Sequence, residues 1–334
     1  MKTYLYILTI TMLFATSCDS IHEFPDEYSA NPTLVNLDVK VTFNINDLSN
    51  MSSIMKSRSI TDDQCLRFIF EIYKYDNSER PIIRRETTVN QINPHDVDLN
   101  ETFSLNATKY YILIWADYLD RNKISDQFYN TQSLYSISFI EPFISDTDNR
   151  DCFVGIANAD LISYRDEWNS HVEMTIPLFR PVAKYVLIAN DIDKYMAQIQ
   201  TKEQSTKSTT DINSYTAVIQ HPGYIPNSFN ARTNQPNDSR LGLRYLSKCQ
   251  LLNSKEALIC LDYPLVNGAK SQTKLNLQLY DNQGKLINQI EDITFPIKRD
   301  SLTVIRSDYF TRKYAPGINI NPDFEGNIDI TLPD

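Results

Sequence analysis

Glycine is scarce in this chain, with 7 in 334 residues, where about 7% is usual. Loops that cradle phosphate need several glycines close together, because only glycine lets the backbone approach an anion that tightly. No G-x-G-x-x-G, Walker or G-x-S-x-G pattern occurs, which counts against nucleotide-dependent enzymes and α/β-hydrolases. Histidine is scarce too. His22, His95, His171 and His221 are the full set, and none stands in an H-x-x-x-H or H-E-x-x-H spacing. No Cys/His spacing suits zinc. His171 and Glu173 share one face of a strand, the nearest approach to a metal pair. Basic residues are outnumbered, 32 against 42 acidic, for a net charge of −10. That balance argues against nucleic acid as a partner. No cofactor, metal or catalytic residue is expected, and the chain reads as non-enzymatic.

Apolar runs long enough to span a bilayer are also lacking. The one concentrated run, Tyr4 to Ala15, follows Lys2 and ends in Ala15-Thr16-Ser17-Cys18. A dozen apolar residues before small side chains and a cysteine is the pattern of a lipoprotein signal peptide. Residues 1–17 are therefore expected to be cleaved, leaving Cys18 acylated with diacylglycerol and palmitate. Each buried CH₂ contributes about 0.8 kcal/mol, so two or three chains hold a protein stably. Residues 18–32, with Pro25, Pro32 and several acids, read as a polar tether. Asp19 and the acids after it point to outer-membrane, outward display.

What the chain has in quantity is tyrosine (20) and phenylalanine (15), with isoleucine and threonine beside them. This is a strand-forming palette. Val35, Leu37, Val39, Val41 and Phe43 alternate along a half-buried first strand. Cys65 to Tyr73 is a second strand, turned by Asp76-Asn77-Ser78-Glu79. Lys109 to Ala116 is a continuous apolar run, as for a strand buried on both faces. Residues 117–170 read as a long irregular stretch. Val172 to Leu178 closes the first half. Ala183 to Asp191 echoes the Lys109 run. Leu275 to Ile287 is a hairpin with Gly284 in its turn. Ile192, Tyr195, Met196 and Ile199 give one helix an apolar face.

The fold class expected is mainly all-β, two tandem β-sandwiches with one or two short helices. The boundaries are 33–178 and 179–334. Cys65 and Cys152 read as small buried hydrophobes; Cys249 and Cys260 either pair or do likewise. Asp146, Asp148 and Asp151 resemble a calcium loop only loosely, without its glycine or downstream glutamate, and read as a polar loop. Tyr118, Tyr129, Tyr135 and Trp168 lie in loop-like sequence and are candidate stacking platforms for a glycan.

Several motifs carry a resemblance in their order along the chain. They are His22-Glu23-Phe24-Pro25-Asp26 after Cys18, Trp115-Ala116-Asp117-Tyr118, Arg180 to Tyr185, Tyr224 to Asn230, Pro296 to Arg306, and Gly317 to Asn321. Together the chain resembles the fimbrillin-like lipoproteins, outer-membrane-anchored pilus subunits and relatives of Gram-negative anaerobes. It looks most like members of unassigned function near the anchor subunits. The resemblance implies transthyretin-like sandwiches and association through strand edges with other fimbrial subunits. In pilus-forming members a protease cuts after an arginine following the first strand. Arg58 occupies such a loop and is the candidate processing site. Ile328, Ile330 and Leu332 alternate either as a donor strand or as the last strand of their own domain. The function expected is a lipid-anchored structural or adhesive surface protein, with a glycan-binding surface lipoprotein as the alternative.

Overall fold

The computed structural model describes residues 33–48, 60–76, 80–123, 125–202, 211–312, 318–319 and 328–331. Cys18 and Arg58 lie outside the described residues, as do the expected signal segment and tether. The first half contributes β1 (Leu34–Phe43), β2 (Gln64–Lys74), β3 (Ile83–Val89), β4 (Leu99–Asn106), β5 (Lys109–Asp120), β6 (Tyr129–Asn130), β7 (Ile137–Phe139), β8 (Cys152–Asp160) and β9 (His171–Leu178). The second contributes β10 (Lys184–Ala189), β11 (Thr216–Gln220), β12 (Tyr224–Asn230), β13 (Gln235–Leu241), β14 (Arg244–Lys248), β15 (Gln250–Leu251), β16 (Ala257–Asp262), β17 (Lys270–Tyr280), β18 (Leu286–Lys298), β19 (Leu302–Ser307), β20 (Ile318–Asn319) and β21 (Ile328–Thr331).

In the first half, a sheet ordered β4-β1-β9 packs on one ordered β3-β2-β5-β8. The alternation along β1 does what it predicts. Val35, Leu37, Val39 and Val41 are buried in the core between these sheets, facing Phe68, Phe70, Ile112 and Ile114. β1 is the central strand of its sheet. It pairs antiparallel with β4 from Leu34 to Val41 and parallel with β9 from Asn36 to Phe43.

The second half stacks β15-β16-β10-β19-β21 on β14-β11-β17-β18-β20. The β17–β18 hairpin forms as the sequence predicts, with Gly284 at φ +77° in its turn, a conformation open to glycine. The helix spans Ile192–Lys202 and packs Ile192, Tyr195, Met196 and Ile199 on this core. β21 pairs in parallel with β19 of its own half, Thr303 opposite Ile328.

A third core joins the halves. Ile69, Leu113 and Trp115 on the back of the β2–β5 sheet meet Val186, Ile188, Leu258 and Val304 on the back of the β10–β16–β19 sheet. A four-stranded sheet ordered β13-β12-β7-β6, drawn from both halves, adds Tyr129, Ile137 and Phe229 to the same core. This explains why Lys109–Ala116 and Lys184–Ala189 look alike. Both strands sit between two cores, so both of their faces must be apolar. Residues 117–170 are not irregular throughout. β5 runs on to Asp120, and β8 is a nine-residue strand pairing with it. Gly155 and Asn158 hide β8 by breaking the apolar pattern. A Cβ at Gly155 would lie 2.5 Å from Leu178 Cδ2 and 3.1 Å from the Pro177 carbonyl oxygen, so a side chain there would force its neighbours to shift. Cys65, Cys152, Cys249 and Cys260 are all buried thiols, and Cys249 and Cys260 form no disulfide.

Candidate functional site

The acidic segment Asp146–Asp151 is engaged by the protein itself. Asp146 accepts from the Leu261 amide at 3.1 Å and from the Ser247 hydroxyl at 2.8 Å. Asp148 accepts from Lys184 Nζ at 2.6 Å and Tyr263 OH at 2.8 Å. Asp151 takes Arg180 through two bonds of 2.7 and 2.9 Å. Arg180 also reaches Asp300 in the β18–β19 turn. Burial alone would lower the pKa of Arg180, but Asp151 and Asp300 push it well above the usual value and hold it charged. Arg150 is buried among Phe139 and Phe143, its guanidinium 4.6 and 4.2 Å from their ring centroids, with Nε 3.1 Å from Asp262. Four of the motifs carrying the resemblance meet here. They supply Trp115, the Arg180–Lys184 pair, Phe229, and Asp300 with Val304. This junction fixes how the halves sit. Its carboxylates are spent on cations and amides, and among the described residues no group of His, Cys, Asp or Glu is arranged for a metal. His171 faces Asp38 across β1 and β9 at 3.0 Å.

The four candidate aromatics are not brought together. Tyr118 is 1% exposed and donates its hydroxyl to the Ile92 carbonyl at 2.9 Å. Tyr129 is 1% exposed, donates to the Arg150 carbonyl at 2.6 Å and stands edge-on to Trp115 at 5.3 Å. Both are core residues and offer no stacking face. Period two carried past Ala116 puts Tyr118 on the inner side of β5, and Trp115 draws Tyr129 inward. Tyr135 is half-buried, tilted on Tyr73 at 4.7 Å and bonded to Arg232. Arg232 also lies over Tyr111, which stacks on Tyr75 at 4.3 Å. Trp168 is 59% exposed in the connection from β8 to β9.

Sequence reasoning missed a groove of about 510 Å³ in the second half. It opens where β11 ends and the chain turns at His221 into β12. The β12–β13 hairpin forms one wall, with Tyr224 and Ser239; the start of β17 forms another, with Ser271 and Gln272; Asn267 stands on the connection between β16 and β17. His221 is 1% exposed at the base. Its Nδ1 lies 3.0 Å from the Lys274 carbonyl, and its Nε2 is 3.3 Å from Tyr185 OH, which is 2.8 Å from Tyr245 OH. The carbonyl can only accept, so Nδ1 carries the proton in this arrangement. Burial holds the imidazole below its ordinary pKa and hence neutral near pH 7. The one sequence signal for this place is the turn His221-Pro222-Gly223 before Tyr224.

The model of a family of unknown function, DUF6562, matches residues 32–333. The chain belongs to that family. Among curated proteins none matches it. Solved structures are similar to it at low identity. A candidate polysaccharide-binding protein from Bacteroides thetaiotaomicron is 13% identical, with a TM-score of 0.43 over 76% of this chain and 79% of that one. A candidate adhesin from Bacteroides ovatus is 12% identical, with a TM-score of 0.43 over 77% and 75%. The fimbrial anchor protein Mfa2 from Porphyromonas gingivalis is 10% identical, with a TM-score of 0.42 over 77% and 81%.

Proposed function

We propose that this protein is an adhesive surface protein, exported, lipidated at Cys18 and displayed on the outer membrane, where it serves as a fimbrial anchor or accessory subunit. The observation that carries the reading is the place of β1. A subunit that polymerises by strand exchange must give up its first strand to open a groove. Here β1 is the middle strand of its sheet, paired on both edges, with four of its side chains at the centre of the core. Losing it would expose Val35, Leu37, Val39 and Val41 and their partners, at about 1.5–3 kcal/mol for each side chain. Arg58 follows this strand, and in the proposal it is not a processing site. The signal-peptide pattern ending at Cys18 and the tether after it support the anchoring part.

The test uses cells producing the wild type or Cys18→Ala, fed a labelled palmitate analogue. Label and a surface-accessible, membrane-bound protein are expected for the wild type, and neither for the variant. Adherence and surface filaments should decline when the gene is deleted. An unlabelled wild-type chain in the soluble fraction would overturn the anchoring part, and unchanged adherence and filaments the adhesive part.

A second reading is glycan binding. The exposed Trp168 and the groove beside Tyr224 favour it. A glycan array decides whether the protein binds sugars at all.

A further inference from the structure

We propose that the groove between the β12–β13 hairpin and the start of β17 is a binding site for a neutral oligosaccharide, with Tyr224 as its stacking platform. The inference rests on the glycan-binding reading and locates the site within it.

Polar groups line the groove without being used. The side chains of Ser239, Asn267, Ser271 and Gln272 make no hydrogen bond to the described residues. Two hydroxyls and two amides supply both donors and acceptors, which is what a ring of sugar hydroxyls requires. Tyr224 stands at the groove beside them and is 74% exposed, the most exposed large apolar side chain among the described residues. An aromatic face beside unspent amides and hydroxyls matches the two faces of a pyranose, one of C–H groups and one of hydroxyls. Core packing does not explain Tyr224, since none of the described residues buries it.

Charge selects among ligands. Among the described residues Lys274 is the one cation lining the groove, and its Nζ is 2.6 Å from Asp292. Arg240, next to Ser239, is taken by Glu141. His221 is buried and bonded on both nitrogens. An anionic ligand would find no unpaired cation here. An apolar ligand would cover the four polar side chains without satisfying them, which is unfavourable. A peptide strand adding to β17 would compete for the Lys274 carbonyl, which already accepts from His221. The volume of about 510 Å³ falls in the range of small-ligand sites, roughly 300–1,000 Å³. A groove open along one side admits a chain of sugars as well as a single residue.

The experiment applies the detergent-solubilised full-length chain to an array of neutral oligosaccharides built from glucose, galactose, mannose and N-acetylhexosamines. Sialylated and sulfated versions and a set of extended peptides accompany them. The strongest neutral hit is then titrated calorimetrically against the wild type, Tyr224→Ala, Tyr224→Phe, the double variant Asn267→Ala with Gln272→Ala, and Trp168→Ala. All substituted side chains are exposed, so each variant is expected to keep the wild-type melting temperature. The proposal expects neutral sugars to bind, with Tyr224→Ala and the double variant each weaker by about tenfold or more. Tyr224→Phe keeps the ring and should bind more tightly than Tyr224→Ala, and Trp168→Ala should lose less than either groove variant. Loss of binding in Trp168→Ala with the groove variants unaffected overturns the site and leaves the glycan reading standing. Binding only to sialylated or sulfated sugars, or only to peptides, overturns the proposal. A wild-type chain that retains no glycan overturns both the site and the glycan reading.

Discussion

Arg180 grips Asp151 through two parallel hydrogen bonds of 2.7 and 2.9 Å, tying the chain after β9 to the chain before β8. The same guanidinium reaches Asp300 in the second half. Removing one partner of a buried pair leaves the other charge uncompensated, which costs about 3–5 kcal/mol. Asp151→Ala is expected to destabilise by the lower end of that range, because Asp300 remains. Denaturant unfolding followed by tryptophan fluorescence and by circular dichroism measures it. The wild type should show one coincident transition in both signals, since a shared core and a shared sheet join the halves. Two separate transitions would mean that the junction holds little.

Calcium should leave the protein unchanged. Asp146, Asp148 and Asp151 already serve an amide, a lysine and an arginine. A cation entering there would displace Lys184 and Arg180 from buried positions. Calorimetric melting temperatures in millimolar calcium and in chelator are expected to coincide. A rise of several degrees with calcium would show a site that the geometry does not provide.

The aromatic residues divide by stability. Tyr129→Ala empties space beside Trp115 and is expected to cost about 3–5 kcal/mol. Tyr129→Phe loses only the hydrogen bond to the Arg150 carbonyl, about 1 kcal/mol. Trp168→Ala should stay within about 0.5 kcal/mol of wild type. Chemical denaturation of the three variants checks the order.

His221 gives an acid-side dependence with a definite sign. Its folded pKa lies below the unfolded value of about 6.5. Between those two values the unfolded chain binds the proton and the folded one does not. Stability is therefore whole above about pH 6.5 and is lost as pH falls through that window. The nearby Asp262 opposes burial and narrows the window. His221→Gln should flatten this part of the pH profile relative to wild type. Equal slopes for the two proteins would mean that His221 titrates normally.

Much of the fold was legible because period two is a strong signal when one face is wet. β1 and the β17–β18 hairpin showed it, and the 3.6-residue period of Ile192, Tyr195, Met196 and Ile199 showed the helix in the same way. The continuous run at Lys109 was legible as a strand buried on both faces and the run at Ala183 as its echo, and the third core between the halves supplies the reason. β8 was not legible, since Gly155 answers a close approach by Leu178 that sequence cannot display. The candidate site was read less well. Tyr118 and Tyr129 looked exposed because their neighbours are polar, yet Ile92 and Arg150 carbonyls satisfy their hydroxyls inside the core. The acidic segment looked like solvent-facing sequence, and its basic partners lie on distant strands. The groove depends on where β11 stops beside β17, a property of topology alone.

The account turns on β1 staying in its sheet. The direct measurement is the size of the purified chain, by light scattering and by unboiled gel electrophoresis, before and after treatment with an arginine-specific protease. The account predicts a monomer in both samples, with the strand Leu34–Phe43 retained even when the chain is cut at Arg58. Release of that strand with the appearance of a ladder of polymers would contradict it.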